Sequence, residues 1–285
     1  MLIDAQYRKC VVFLFADVPD ERTGIVNRTP AGSAFLVGIP VGGDRFVRYL
    51  VTARHVVSRS RQYGSLFARV HLADGSATFA EFTPAAWYEH PTTEVAVALL
   101  YLSVEIDHVV VSVDQFETDA RLIEHVVGVG DDVFFVGLFS EHPGLERNQP
   151  IVRFGTIALM PDEKILVDIG DSTARIRAYL VEARSWGGHS GSPAFVYFPP
   201  DRFGDRIQVL SYLPIFLLGL VQGHFNIPSD VKFIGDIGEQ GSGRVPVNAG
   251  IAAVVPAQDI YDLLMSDPVV EQRDKLLKQM RSLGR

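Results

Sequence analysis

Cysteine is almost absent from this chain of 285 residues, and its scarcity excludes the small proteins that depend on internal disulfides. Cys10 is the single cysteine, so no disulfide can form within the chain and packing must supply the stability. A reducing compartment fits this composition, and we expect a cytoplasmic location. Long apolar runs are also missing, because those near residues 10–16 and 213–221 are too short to span a bilayer. We therefore expect no membrane partner.

An excess of positive charge is also absent. The formal net charge is −8, whereas a protein that binds nucleic acid needs a basic surface against the phosphates. We therefore expect no nucleic-acid partner. No group of histidines, cysteines and carboxylates has the spacing of metal ligands, so we predict neither a metal nor another cofactor. What the chain does have is apolar sequence: 47% of its residues are hydrophobic, enough for one large or two ordinary cores.

The N-terminal segment resembles a secretory signal only in part. Arg8 and Lys9 precede an apolar run, but Asp4 lies where a signal peptide carries positive charge. No cleavage site with small residues follows. We expect the first strand at residues 9–17 instead.

Short β-branched and aromatic runs separated by turn residues dominate the chain, which is typical of strands. The predicted strands of the first half are 9–17, 33–38, 46–51, 67–72, 77–82 and 95–102, with one helical turn at 54–58. Those of the second half are 131–137, 151–158, 164–167, 175–182, 194–198, 207–211, 215–223 and 250–255. The polar, glycine-rich stretch 226–246 predicts a long loop. Helical periodicity begins only near Pro256.

This pattern favours an all-β fold of two antiparallel six-stranded barrels followed by a C-terminal α-helix. We divide the chain into a first barrel at 1–118, a second barrel at 119–255 and a helical segment at 256–285.

The stretch most suggestive of chemistry surrounds Ser190. Gly187, Gly188 and Gly191 tolerate the positive φ angles of a sharp turn, which would expose the Ser190 hydroxyl and let neighbouring N–H groups converge. Pro193 then prevents a helix, and a strand follows. The alternative from this stretch alone is a plain loop.

Two further polar residues stand at the ends of apolar strands. His55 follows the strand 46–51 within the run Thr-Ala-Arg-His-Val-Val, where a rigid sheet can hold an imidazole. Glu94 begins the apolar run 95–100, and a buried carboxylate there needs a hydrogen-bonding partner. Imidazole is the obvious one; the alternative is that Glu94 faces water.

Together these runs resemble the trypsin-like, chymotrypsin-fold serine proteases, and among them leaderless, disulfide-free bacterial members and the high-temperature-requirement proteases. The motifs are Gly-Ser-Ala-Phe at 32–35, the histidine run at 52–57, Glu-Val-Ala-Val at 94–97 and Gly-His-Ser-Gly-Ser-Pro at 188–193. The resemblance implies a serine endopeptidase that cleaves polypeptides through an acyl-enzyme. In it Ser190 is the nucleophile, His55 the general base and Glu94 the acid that orients it.

The same resemblance assigns further residues. It implies an oxyanion hole from the N–H groups of Gly188 and Ser190. It also implies a substrate-binding edge, and a specificity pocket with Arg184 at its floor and an acidic substrate side chain against it. The expected substrate-binding residues are Arg184, Gln222, Gly223, His224 and Gly250.

Three departures keep other readings open. The family's acid is normally aspartate, and His189 replaces the residue that digestive members use in activation. Arg184 is as compatible with the surface as with a pocket floor. The chain is therefore also compatible with a latent or inactive protease-like barrel that binds other molecules or needs a regulatory partner. The G-x-S-x-G elbow of α/β-hydrolases fits less well, because a strand rather than a helix follows Ser190.

Overall fold

The computed structural model describes residues 3–43, 45–102, 105–169, 172–183, 188–199, 202, 215–234 and 240–282. The predicted all-β architecture with two barrel-like halves and a C-terminal helical segment is confirmed. In the first half the strands are β1 (Val11–Pro19), β2 (Val26–Pro40), β3 (Phe46–Ala53), β4 (Leu66–His71), β5 (Ala77–Phe82), β6 (Trp87–Glu89), β7 (Val95–Leu100) and β8 (Val111–Ser112).

The first half is a curled sheet rather than a closed ring. Its strands lie in the order β5-β4-β1-β2-β3-β7-β6, and β8 pairs with β2. The two edge strands approach each other because the turn that joins them is short, and the rings of Phe82 and Trp87 lie 5.6 Å apart. The curled sheet holds β3 and β7 side by side, with Ala53 opposite Val95. This register places residues 54 and 94 together at one end of the sheet.

The second half contains a closed six-stranded barrel in the order β10-β13-β16-β15-β14-β9. Its strands, with the separate two-stranded sheet β11-β12, are β9 (Asp132–Gly137), β10 (Ile151–Leu159), β11 (Lys164–Ile169), β12 (Ser172–Arg177), β13 (Tyr179–Glu182), β14 (Pro193–Tyr197), β15 (Ile215–Ile234) and β16 (Gln240–Pro256). The strand predicted at 175–182 is thus two strands, which separate at the buried Ala178.

The prediction of a long loop at 226–246 is wrong. Strands β15 and β16 continue through most of it as a ribbon, paired as far as Ile234 and Gln240. The ribbon satisfies its backbone groups across the pair, and Ile227 lies directly opposite Val247 within it. Polar composition does not prevent such pairing, because both faces of a ribbon can be exposed to water. The strand predicted at 207–211 lies outside the described residues.

Five α-helices occur in the described chain: α1 (Ala5–Lys9), α2 (Arg54–Ser60), α3 (Asp119–Glu124), α4 (Ala257–Leu264) and α5 (Asp267–Ser282). Three short 3₁₀ helices lie at Arg61–Tyr63, Pro84–Ala86 and Val113–Gln115. The predicted apolar face of α4 is confirmed, since Ile260, Leu263 and Leu264 are buried. The helices α1 and α3 were not predicted, because five or six residues are too few to show helical periodicity. None of the helices in the described ranges is long and apolar enough to cross a membrane.

One apolar cluster runs through both halves. It contains Val12 of β1, Phe134 of β9, Leu217 of β15 and Ile260 of α4. The two halves and the C-terminal helices therefore share a core, and the division at residues 118 and 255 stays a prediction.

Candidate active site

His55 is the second residue of α2, which begins where strand β3 ends. Its ring is almost fully buried. The strand that leads to it is held to β2, because the Thr52 hydroxyl donates to the Ser33 carbonyl at 2.7 Å. A rigid sheet thus supports the imidazole, as the sequence predicts.

Glu94 immediately precedes β7 and is completely buried. Its Oε2 lies 2.8 Å from His55 Nδ1 and also accepts the backbone N–H of His55 at 3.2 Å. Its Oε1 accepts from Arg54 Nε at 3.2 Å. Burial raises the pKa of Glu94, but the hydrogen bond from His55 and the charges of His55 and Arg54 bring it below its usual value. The alternative that Glu94 faces water is wrong.

The turn around Ser190 is shaped by two glycines with positive φ. These are Gly188 at φ 98° and Gly191 at φ 84°. A Cβ at Gly191 would collide with the Ser33 carbonyl oxygen. Two hydrogen bonds fasten the turn to the first half, from Ser33 N to Ser190 O at 2.9 Å and from Ser33 Oγ to Gly188 O at 2.7 Å. Ser33, in the opening motif of the sequence, therefore links the two halves at the site.

A cleft of about 690 Å³ brings six of the nine predicted site residues together. His55 and Ser190 both line it, together with Gly188, His189, Gln222, Gly223 and His224. Strands β1 and β2 and residues 59, 60, 62 and 63 line it from the first half. Glu94 lies behind His55 and outside this lining. Partial burial lowers the pKa of His224, which favours the neutral imidazole at neutral pH.

The Ser190 hydroxyl is directed towards the second half. It donates to the Gln222 carbonyl at 3.0 Å. Among the described residues, no hydrogen bond joins it to His55, although both line the cleft. In the same part of the chain, the backbone N–H groups of Gly188 and Ser190 donate to no protein acceptor. These two N–H groups are the ones predicted to form an oxyanion hole.

The other predicted binding residues fall into three groups. Gln222, Gly223 and His224 lie in β15 beyond the point where its pairing with β14 ends, at Leu220 opposite Pro193. Gly250 is absent from the cleft lining; it has φ 75° and its carbonyl accepts from Ala183 N at 2.8 Å. Arg184 lies outside the described residues.

Sequence reasoning missed two residues that contact the predicted site. Arg54 donates a hydrogen bond to the Glu94 carboxylate. Its position directly before His55 in the histidine motif is the sequence signal that could have indicated this contact. Asp168 of the hairpin β11-β12 lines the cleft, and its carbonyl accepts from Gln222 Nε2 at 3.0 Å. No local pattern in the sequence indicates that second contact, because 54 residues separate its partners. Within the described ranges, no cluster of side chains is suited to hold a metal.

Comparisons with known proteins give a fold-level likeness. No family model matches the chain, and no curated protein matches its sequence. Solved structures do match, and one of them is the crystal structure of Deg5. This chain is similar to it with a TM-score of 0.45 and 16% sequence identity, over 76% of this chain and 80% of that one.

Proposed function

We propose that this protein is a serine endopeptidase that uses Ser190, His55 and Glu94. The observation that carries the proposal is the shared cleft, in which Ser190 and a histidine backed by a buried carboxylate at 2.8 Å lie together. A serine is a weak nucleophile unless a base takes its proton, and a histidine oriented by a carboxylate is such a base. The order of the motifs along the chain supports the same assignment.

In the proposed reaction Ser190 Oγ attacks the scissile carbonyl while His55 takes the hydroxyl proton. His55 then gives that proton to the leaving amine, and water repeats the sequence to release the acid. Glu94 fixes the imidazole tautomer and stabilises the imidazolium. The N–H groups of Gly188 and Ser190 receive the negative charge on the carbonyl oxygen, which is worth about 3 kcal/mol per donor.

The Ser190 hydroxyl must first turn from Gln222 to His55. An extended peptide is suited to cause this turn, because the edge of β15 at Gln222 is open beyond the pairing with β14. A substrate strand added there would place its own N–H on the Gln222 carbonyl and displace the hydroxyl. A polypeptide substrate is therefore part of the proposal.

Labelling with a small fluorophosphonate, followed by intact mass measurement, tests the proposal. We expect one adduct on the wild type and none on Ser190→Ala or His55→Gln. Ser192→Ala is the matched control, because Ser192 lies two residues away, is buried and does not line the cleft. It should be labelled like the wild type.

One observation favours a second candidate, a latent barrel that binds polypeptide or waits for a regulatory partner. That observation is the hydrogen bond from Ser190 to Gln222 in place of His55. A folded wild type without adduct, whether or not peptide is present, would reject the constitutive enzyme and favour this candidate.

A further inference from the structure

Arg54 is the residue that meets the carboxylate of Glu94 from the side opposite His55. Strands β3 and β7 place them together: Ala53 is paired with Val95, and the backbone N–H of Arg54 donates to the Glu94 carbonyl at 3.2 Å. The guanidinium then folds back, with Nε 3.2 Å from Glu94 Oε1 and Nη1 3.3 Å from the His90 carbonyl. Its side chain is 30% exposed, whereas that of Glu94 is 0% exposed.

A glutamate in this place needs more restraint than an aspartate. Its additional methylene adds a rotatable bond, and an unrestrained carboxylate could turn away from the imidazole. Oε2 is occupied by the backbone N–H and the ring of His55. Oε1 would be left without a partner in a fully buried site, which is costly for a charged group. Arg54 satisfies that oxygen and fixes the plane of the carboxylate.

We propose that Arg54 is a positioning residue of the Ser190 site, which holds the Glu94 carboxylate ionised and directed at His55. The proposal rests on the proposed function for its effect on rate, and on the contacts of Arg54 for its effect on the Glu94–His55 pair. Arg54 itself touches neither substrate nor the reacting atoms.

Two substitutions of Arg54 test this role against a merely structural one. Arg54→Gln removes the charge, whereas Arg54→Lys keeps a charge without the guanidinium geometry. We expect kcat for a peptide substrate and the fluorophosphonate labelling rate to fall about tenfold in R54Q, because a small displacement of a catalytic group has a large effect on rate. R54K should recover part of the loss, and KM should not change.

The matched control is Arg61→Gln. Arg61 follows α2 closely and pairs with the carboxylate of Glu89, and it does not line the cleft. R61Q therefore breaks an arginine–glutamate pair in the same segment without touching Glu94. Its rate constants should equal those of the wild type.

The proton NMR resonance of the His55 Nδ1–H group gives a readout that does not require activity. It is assigned by its loss in His55→Gln, and we expect it at low field in the wild type and R61Q, and shifted or broadened in R54Q. A wild-type resonance and rate in folded R54Q would overturn the proposal. If the wild type is never labelled, the endopeptidase assignment fails, whereas the resonance still decides whether Arg54 holds the pair.

Discussion

Two buried histidine–glutamate pairs occur among the residues that the structure describes, and of these two only His55–Glu94 lies at the cleft. His55 Nδ1 is 2.8 Å from Glu94, and His125 Nδ1 is 2.9 Å from Glu117. Both glutamate side chains are 0% exposed, and the imidazoles are 8% and 12% exposed. By distance and burial alone, the two pairs are nearly equivalent.

Their charges differ. Glu94 has hydrogen bonds from a backbone N–H, an imidazole and a guanidinium, and its pKa is lowered. In the described part of the chain, the carboxylate of Glu117 accepts only from His125. Burial therefore raises the pKa of Glu117 to about 8, despite the opposing charges of Arg121 and Arg202.

The surroundings of the second pair explain this difference. Arg121 donates to the carbonyl of Phe116 at 3.3 Å, and Arg202 pairs with Asp131 at 2.5 Å, so neither guanidinium meets Glu117. The His125 ring lies against Phe198 and Phe216. A carboxylate can orient a general base only if it stays ionised. The hydrogen-bond donors around each glutamate therefore distinguish the two pairs, whereas the nearly equal histidine–glutamate distances of 2.8 and 2.9 Å do not.

The largest expected effect comes from neutralising each glutamate in turn. Glu94→Gln should lower the fluorophosphonate labelling rate roughly 10³- to 10⁴-fold, because an amide favours the wrong imidazole tautomer and cannot stabilise the imidazolium. Glu117→Gln should leave that rate within about twofold, because neither Glu117 nor His125 lines the cleft and substitutions at distant sites act independently. Labelling rates at neutral pH measure both. Equal losses in the two variants would remove the distinction between the pairs.

Much of this site is readable in the sequence, because His55, Glu94 and Ser190 stand at strand ends or in a glycine turn with local signals. The positions of most strands along the chain also follow from short apolar runs. Partners distant in sequence are not readable: the contact from Ser33 Oγ to Gly188 O spans 155 residues. The prediction of a loop at 226–246 fails because glycine and polar residues also suit a paired strand with two exposed faces. The second pair shows no motif around His125 at all.

The next effect concerns stability and isolates Glu117. Its pKa is raised from 4.5 to about 8 in the folded protein. Between these two pH values, the unfolded chain therefore binds fewer protons than the folded protein does. The contribution of Glu117 to the free energy of unfolding is therefore full below about pH 4.5 and is lost as the pH rises towards 8. Its size is on the order of a few kcal/mol, since each pKa unit is worth about 1.4 kcal/mol.

Urea unfolding of the wild type and Glu117→Gln at pH 5 and pH 8 measures this contribution. His125 titrates in the opposite sense, since burial lowers its pKa, and both proteins contain it. Arg121, Glu124 and Arg202 also act on both proteins. The stability of E117Q relative to the wild type should rise between pH 5 and pH 8. An unchanged difference would mean that Glu117 is ionised in the fold, as Glu94 is.

The smallest expected effect comes from shortening the acid at the cleft. Glu94→Asp keeps the charge but withdraws the carboxylate by about 1.5 Å, so it cannot reach both His55 Nδ1 and Arg54 Nε, which are 2.8 and 3.2 Å from the glutamate oxygens. We expect the labelling rate to fall about tenfold, well short of the loss in E94Q, since the charge still favours the imidazolium. Glu117→Asp is the matched control and should not change the rate. A wild-type rate in E94D would show that a negative charge at residue 94 suffices. The donors around Glu94 would then keep the carboxylate ionised, but its distance from His55 and Arg54 would not limit the rate.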